Sequence, residues 1–210
     1  MITITDPIPN LAPMKVIIEE INDLLDQKEG QENAAKPIVY WIAGGAITSA
    51  ITGEKINDYD IFSPTPELLR DKLKEAIGYA SYEHEFFTNF WINNRKIQVI
   101  TRYSPESPQA IFNTFDFTIV CGAYNGKEFY CHDRFWQDIG TRRLVVNDLF
   151  FPLKTMERVA KYSRRGYTVC PVGLLNIAKA INALQIDWDN PSENDLSFYP
   201  DGTPRFMGPD

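Results

Sequence analysis

The chain of 210 residues is 44% hydrophobic and 23% charged, which is ordinary for a globular protein with room for one domain, or one domain and a small appendage. No apolar run approaches the ~20 residues that cross a bilayer, and the N-terminus lacks the basic start and apolar core of a signal peptide, so we expect a cytoplasmic protein without a membrane partner. The net charge of −7 makes a long nucleic acid an unfavourable partner, because such binding depends on neutralising phosphates.

Apolar periodicity and turn residues predict alternating helices and strands in the first 101 residues. Helices are predicted over 13–27, 46–52 and 66–77. Strands are predicted over 38–42, 57–62, 83–88, 90–92 and 96–101, and the polar stretch 28–36 is predicted to be a loop. Gly44-Gly45 ends the first strand, and Gly53 closes the second helix.

The second half of the chain begins as strand and becomes helical. Residues 117–124 and 128–132 flank Asn125-Gly126, a strong hairpin signal, and helices are predicted over about 153–166 and 174–184. The predicted fold class is α+β. A small mixed β-sheet with flanking helices forms residues 1–150, a short helical extension follows over 151–186, and a loosely ordered tail occupies 187–210.

The Gly-Gly turn between the first strand and the second helix is a candidate phosphate site. Gly44 and Gly45 let the backbone approach a phosphate closely, and the helix that follows offers free N–H groups and the positive end of its dipole. Thr48 and Ser49 add two hydroxyl groups. A Gly-Gly pair without this context is more often only a turn.

Asp58 and Asp60 are the candidate metal ligands. Residues two apart in a strand point to the same face, so both carboxylates converge, and their mutual repulsion favours a cation between them. Mg²⁺ takes carboxylates together with substrate phosphate oxygens. The alternative interpretation is a solvated strand end beside a turn.

These motifs and their neighbours resemble the head domain of tRNA CCA-adding enzymes and bacterial poly(A) polymerases, nucleotidyltransferases of the DNA polymerase β superfamily. Those heads pair a strand–Gly-Gly–helix with an Asp-x-Asp strand at similar spacing. The segments that carry the resemblance, in the same order, are 41–47, 58–61, 99–103, 115–119 with 123–126, 137–139 with 143–144, and 152–167. The resemblance spans about residues 38–167, and it implies a nucleotidyltransferase head followed by a helical neck.

Four positions depart from the pattern of this family or leave a role open. Thr48 and Ser49 stand where the family has arginine and aspartate, which leaves one triphosphate contact of the family open in this chain. The strand position that usually carries a third acid is Gln98, which cannot act as a base. Asp116 is a candidate for that third carboxylate, or for a ribose contact as in the family, or for a buried structural acid.

Basic residues supply the remaining candidates for nucleotide binding. Arg102 ends the strand that resembles one with a triphosphate-side arginine in the family. Arg158 and Lys161 lie on one helix within the basic stretch 154–165, and the resemblance implies that they contact the triphosphate or the base. The alternative is a solvated basic helix face.

Together these residues predict a metal-dependent nucleotidyltransferase with Mg²⁺ or Mn²⁺ as cofactor. An NTP, such as ATP, would donate a nucleoside monophosphate to a hydroxyl on an RNA end, a protein or a small molecule. Fewer than fifty residues follow the resembling segment, which disfavours a complete tRNA-maturing enzyme. The competing hypothesis is a degenerate head that binds nucleotide or a protein partner without turnover, and Thr48, Ser49 and Gln98 support it.

Overall fold

The computed structural model describes residues 1–5, 8, 10–26 and 37–184. Within them, the α-helices are α1 (Ala12–Asp26), α2 (Gly45–Thr52), α3 (Pro66–Ile77), α4 (Pro108–Phe112), α5 (Phe135–Gly140), α6 (Pro152–Arg164) and α7 (Pro171–Asn182). The strands are β1 (Ile2–Thr5), β2 (Trp41–Ala43), β3 (Tyr59–Phe62), β4 (Tyr82–His84), β5 (Phe87–Ile92), β6 (Arg95–Ile100), β7 (Gly122–Tyr124), β8 (Glu128–Cys131), β9 (Arg143–Leu144) and β10 (Thr168–Val169). None of the helices in these residues is long and apolar enough to span a membrane.

The main sheet has eight strands in the order β1-β8-β7-β2-β3-β6-β5-β4. Only β3 and β6 pair in parallel within it, since α3, β4 and β5 form the crossover between them, and its other pairs are antiparallel. The predicted α+β class with a mixed sheet is confirmed, and the sheet is larger than predicted.

One face of the sheet carries the main core. Alternate strand residues such as Ile42, Ile61 and Ile97 are fully buried there against helices α1, α2 and α3, as expected for strands with one apolar face. Ile17 and Ile21 of α1 lie in the same cluster at 0% exposure. Burial of this face fixes the register of the strands, because a shift by one residue would turn the isoleucines outward.

A smaller cluster covers part of the opposite face. Trp41, Ala43 and Phe62 contribute to it from β2 and β3, and Ile111 and Phe112 contribute from α4. The rest of this face, over β5 and β6, carries polar and aromatic side chains.

Helix α6 belongs to the same packed unit as the strands. Its Tyr162 is 5% exposed and lies in a cluster with Phe117, Leu144 and Tyr167. The residues that end α6 and lead back toward β9 include Gly166, whose φ of 81° is left-handed, so the predicted end of the helix near Gly166 is confirmed.

Several predicted elements differ from the structure at their ends. The strand expected over 38–42 is only Trp41–Ala43, and the strand break expected near residue 89 is wrong, because Phe87–Ile92 forms one continuous strand. Residues Thr118–Val120 form a 3-10 turn where a strand was expected. The turn at Asn93-Asn94 and the hairpin at Gly126 are confirmed by positive φ angles. The predicted loop 28–36 and the tail from 187 lie outside the described residues.

Candidate nucleotide and metal site

Asp58 and Asp60 lie where strand β3 begins. Asp60 pairs with Ala43 of β2 on one side and with Gln98 of β6 on the other. A Cβ atom placed on Gly44 would lie 3.8 Å from Oδ2 of Asp60, and the φ of 86° at Gly44 is one that glycine adopts freely. The Gly-Gly turn and the carboxylate pair, predicted separately from the sequence, therefore adjoin in the fold.

The electrostatic environment of Asp60 favours a cation. Burial, and after it the nearby carboxylate of Asp58, raise the pKa of Asp60 to about 7. The positive charges of Arg158, Lys96 and Lys161 act in the opposite direction on this pKa. A carboxylate that is costly to ionise without a partner becomes a good ligand when a divalent ion supplies the missing positive charge.

Two carboxylates are the donor set that these residues offer. In the described parts of the chain, no group of three or more His, Cys, Asp or Glu side chains is arranged to hold a metal ion. Mg²⁺ commonly binds one or two carboxylates and completes its shell with water and substrate phosphates. Asp58 and Asp60 fit an ion of this kind that is shared with a bound triphosphate.

A polar pocket opens beside the carboxylates at the N-terminus of α2. Asp58 lines it from the position just before β3, and Ser49 lines it from α2. Gly45 and Ala46 line it from the first turn of α2, whose free N–H groups attract anions. The full lining consists of Gly45, Ala46, Ser49, Lys55, Ile56, Asn57, Asp58, Lys161, Tyr162 and Arg165. Three cations thus surround a helix N-terminus, which is the arrangement expected for a phosphate site.

Sequence reasoning missed two of these cations. Lys55 lies in the loop between α2 and β3, three residues before Asp58, and that proximity was the available signal. Arg165 was noted only as the end of the basic stretch. It forms an ion pair with Glu54 at 2.8 Å, so the loop and α6 are joined at the rim of the pocket.

Thr48 and Ser49 have different positions in the structure. Thr48 is 3% exposed and donates its hydroxyl hydrogen to the carbonyl oxygen of Ile119 at 2.6 Å, and it does not line the pocket. Ser49 does line the pocket. Only Ser49 of this predicted hydroxyl pair faces the site, because on a helix neighbouring residues point about 100° apart.

Gln98 lies in β6 at the position where the superfamily usually has a third acid, as the sequence indicated. Gln98 is the register partner of Asp60 in β6, and its Nε2 donates to Oδ1 of Asn89 at 2.9 Å. Two residues earlier on the same face, Lys96 places its Nζ 3.8 Å from Oδ2 of Asp58. Lys96 was not predicted as a site residue, although its spacing from Gln98 was a usable signal.

Asp116 and Arg158 are paired with each other. Nη1 of Arg158 donates to Oδ2 of Asp116 at 2.9 Å, and the Asp116 side chain is 6% exposed. Of the three roles considered for Asp116, the buried and hydrogen-bonded structural acid agrees best with this contact.

Arg102 lies away from the carboxylate pair. It follows the end of β6, four residues beyond Gln98, which corresponds to about 13 Å along an extended strand. Its guanidinium packs against the rings of Phe86 and Phe151, at 4.2 and 4.7 Å from their centroids. The structure therefore places Arg102 at the other end of the strand from the register partner of Asp60, where two aromatic rings pack against its guanidinium.

Comparison with known sequences gives the family. The sequence pattern of the family described as "Gabija anti-defense 2 family protein" matches residues 14–142, which is more than half of the chain. The chain belongs to this family. A relative named "Gabija anti-defense 2", from Bacillus phage SPbetaL7, is 33% identical over 152 residues, covering 70% of this chain and 38% of the relative. The chain thus spans well under half the length of that relative.

Solved structures show the same fold. A tRNA-processing enzyme in its apo form matches 85% of this chain with a TM-score of 0.59 at 16% identity. A Thermotoga maritima CCA-adding enzyme complexed with tRNA matches 87% with a TM-score of 0.58 at 14% identity. A tRNA nucleotidyltransferase complexed with a primer tRNA and an incoming ATP analog matches 69% with a TM-score of 0.53 at 18% identity.

These matches confirm the resemblance inferred from the motifs at the level of the fold. The chain has a nucleotidyltransferase-like fold and covers 49%, 46% and 47% of these three solved chains, respectively.

Proposed function

We propose that this member of the Gabija anti-defense 2 family is a metal-dependent nucleotidyltransferase. It transfers a nucleoside monophosphate from an NTP to an acceptor hydroxyl on an RNA end, a protein or a small molecule. The observation that carries the proposal is the meeting of Asp58, Asp60 and the N-terminus of α2 at one place, with Asp58 lining the same pocket as Gly45 and Ser49. A metal site and a phosphate site are therefore contiguous.

Different residues of the site would bind the metal ion and the phosphates. Asp58 and Asp60 would hold Mg²⁺ or Mn²⁺, and the backbone of Gly44 and Gly45 with the hydroxyl of Ser49 would bind phosphate. A divalent ion held there would supply positive charge to the triphosphate and activate the attacking hydroxyl. Cations at the pocket then offset the charge of the leaving pyrophosphate; they are Lys55, Lys161 and Arg165.

The reaction forms one bond and breaks one. The acceptor oxygen bonds to the α-phosphorus, and the bond from that phosphorus to the oxygen bridging the α- and β-phosphates breaks. Pyrophosphate leaves with the bonding electron pair, and the hydroxyl proton passes to solvent. Since little covalent chemistry is left to the protein, positioning and charge stabilisation supply most of the rate enhancement.

The likeness to solved structures supports the choice of donor. Neighbours with this fold were solved with an ATP analog and with CTP, so an NTP is a reasonable donor for this chain. The name of the phage relative supports the biological role. We therefore propose that nucleotidyl transfer by this chain counteracts the Gabija defence.

A second candidate function is nucleotide or partner binding without turnover. Gln98 stands in β6 beside Asp60 where a third acid is usual in the superfamily, and the ammonium of Lys96 lies near Asp58. Such a protein would show NTP-dependent thermal stabilisation with no release of pyrophosphate.

The decisive experiment follows pyrophosphate release with each of the four NTPs, Mg²⁺ or Mn²⁺, and a host-cell extract as the source of acceptor. α-Labelled NTP in parallel reactions identifies the product. We expect release by the wild type and a decrease of at least ~10²-fold in Asp58→Asn and Asp60→Asn, because each change removes a metal ligand.

Asp71→Asn is the matched control, since Asp71 lies on α3 with a side chain 62% exposed. Equal release by the wild type and both site variants would refute the proposal. The biological role is tested by infecting cells that carry the Gabija defence with phage that encodes either the wild-type protein or the Asp60→Asn variant, and comparing the two infections.

A further inference from the structure

The phosphate pocket and strand β6 lie on opposite sides of Asp58. Helix α2, at whose N-terminus the pocket opens, packs against β2, whereas Lys96 of β6 lies on the other side of β3, 3.8 Å from Asp58. In phosphoryl and nucleotidyl transfer the attacking and leaving oxygens are roughly in line. If the pyrophosphate end occupies the pocket at α2, the acceptor hydroxyl must approach over β6 and β5.

A row of three side chains leads in that direction. Lys96 is the antiparallel register partner of Trp91 in β5, and in the parallel pairing of β3 with β6 it stands beside Asp58. Paired residues project from the same face, and strands are ~4.8 Å apart, so Trp91 lies about 10 Å from Asp58 across the sheet.

The two side chains beyond Asp58 are accessible. Trp91 is 49% exposed, and the side chain of Lys96 is 32% exposed, so both can contact a ligand. The separation of 3.8 Å between Lys96 and Asp58 is longer than a hydrogen bond, so the ammonium retains donors for another anion.

We propose that Lys96 and Trp91 form the acceptor subsite of this protein and that the acceptor is a nucleotide. Its base stacks on Trp91, its phosphate contacts Lys96, and its ribose hydroxyl is directed toward Asp58. Stacking on an aromatic ring beside a cation is how proteins bind single-stranded nucleotides with little sequence preference. This inference rests on the proposed function, and the net charge of −7 favours a short acceptor over a long RNA.

Intrinsic tryptophan fluorescence tests the subsite, with the dinucleotide ApA as the probe. Stacking on Trp91 quenches its emission, so we expect saturable quenching in the wild type that Trp91→Phe abolishes. Lys96→Gln is expected to weaken ApA binding about 5–10-fold, since one charge-assisted contact is lost. Trp136→Phe is the matched control, because Trp136 is 38% exposed on α5, and it retains the quenching.

A second measurement separates the acceptor subsite from the donor site. Thermal stabilisation by NTP and Mg²⁺ should be unchanged in Trp91→Ala, which also verifies that the variant is folded. Three results would overturn the proposal: no quenching by ApA in the wild type, quenching retained in Trp91→Phe, or NTP stabilisation lost in Trp91→Ala. Labelling of a protein rather than ApA by α-labelled NTP would likewise overturn a nucleotide acceptor. Quenching without pyrophosphate release under any condition would count against the proposed function and leave the subsite standing.

Discussion

Arg158 of α6 donates a hydrogen bond from Nη1 to Oδ2 of Asp116 at 2.9 Å, and it also lies close enough to Asp60 to lower the pKa of that carboxyl. The Arg158 side chain is half exposed, whereas the Asp116 side chain is 6% exposed. The backbone carbonyl of Asp116 accepts a further hydrogen bond from the N–H of Asn147 at 2.7 Å. Asp116 is thus fixed on two sides, and it holds Arg158 beside the carboxylate pair.

Removal of Arg158 should destabilise the protein more than removal of Asp116. Arg158→Ala leaves a buried carboxylate without its partner, and we expect a loss of about 2–3 kcal/mol in the free energy of unfolding, whereas in Asp116→Ala the freed guanidinium reaches solvent. Urea denaturation of both single variants and the double variant measures the coupling. Gln98→Ala should have only a mild effect on turnover. Full stability with complete loss of turnover in Asp116→Ala would instead make that carboxylate a direct participant in the reaction.

The stability of the metal-free protein should decrease as pH rises toward and through 7. The pKa of Asp60 is raised to about 7 from an unfolded value of about 3.9, so the native state binds the proton more tightly and ionisation opposes folding. For a fully buried carboxyl, a pKa shift of this size would lower the free energy of unfolding by about 4 kcal/mol. Because Asp60 is partly exposed, we expect a decrease of about 1–2 kcal/mol.

Urea denaturation between pH 5 and 8 checks this prediction. Mg²⁺ should restore the lost stability at pH 8, and Asp60→Asn should remove the decrease, while Asp71→Asn keeps it. A wild-type profile as flat as that of Asp60→Asn would contradict the raised pKa.

Thr48 and Ser49 should separate stability from nucleotide binding. Thr48→Val leaves the buried carbonyl of Ile119 without its donor, and we expect a loss of about 1–2 kcal/mol in stability with NTP affinity unchanged. Ser49→Ala should have little effect on stability and weaken NTP binding several-fold, because Ser49 lines the pocket. Isothermal titration and thermal melts of both variants make the comparison, and a loss of NTP affinity in Thr48→Val alone would reverse the assignment.

Arg102 should contribute to stability and not to NTP binding. Arg102→Met removes the cation–π contacts with Phe86 and Phe151 at an expected cost of about 1 kcal/mol. Lys161→Met is the comparison, since Lys161 lines the pocket, and it should lower NTP affinity with little change in melting temperature. Equal losses of NTP affinity in the two variants would show that Arg102 contacts the bound NTP.

Binding to bulk tRNA should be weak at physiological salt. The net charge is −7, and the cations of the pocket form one small cluster that cannot track a long backbone. A protein with 6–10 phosphate contacts loses ~10³–10⁵-fold in affinity between 50 and 200 mM salt, whereas NTP binding should vary far less. Fluorescence anisotropy of labelled tRNA at several salt concentrations measures this, and tight binding that survives physiological salt would favour an RNA end as acceptor.

The candidate metal site was predictable because its signals are local. Asp58 and Asp60 share a strand face by their spacing alone, and Gly44-Gly45 ends a strand before a helix. The main helices were predictable for the same reason, since the apolar period of α1 and the Pro66 start of α3 are written in consecutive residues.

Other features depended on pairings between residues distant in sequence. Strand β1 was missed because Ile2–Thr5 is short, exposed and defined only by its pairing with β8. The position of Arg102 could not be predicted for the same reason. Its guanidinium packs against Phe86 and Phe151, which lie in segments that no local sequence pattern relates to it.

The sequence by itself determined the fold class, the carboxylate pair and the glycine turn, because each follows from the spacing of adjacent residues along one strand or helix. Only the tertiary structure decided which charged side chains form ion pairs with each other. Asp116 with Arg158, Lys96 with Asp58 and Arg165 with Glu54 are contacts across elements. Their formation depends on which strands pair and how α6 packs, and those are set by burial of the whole core.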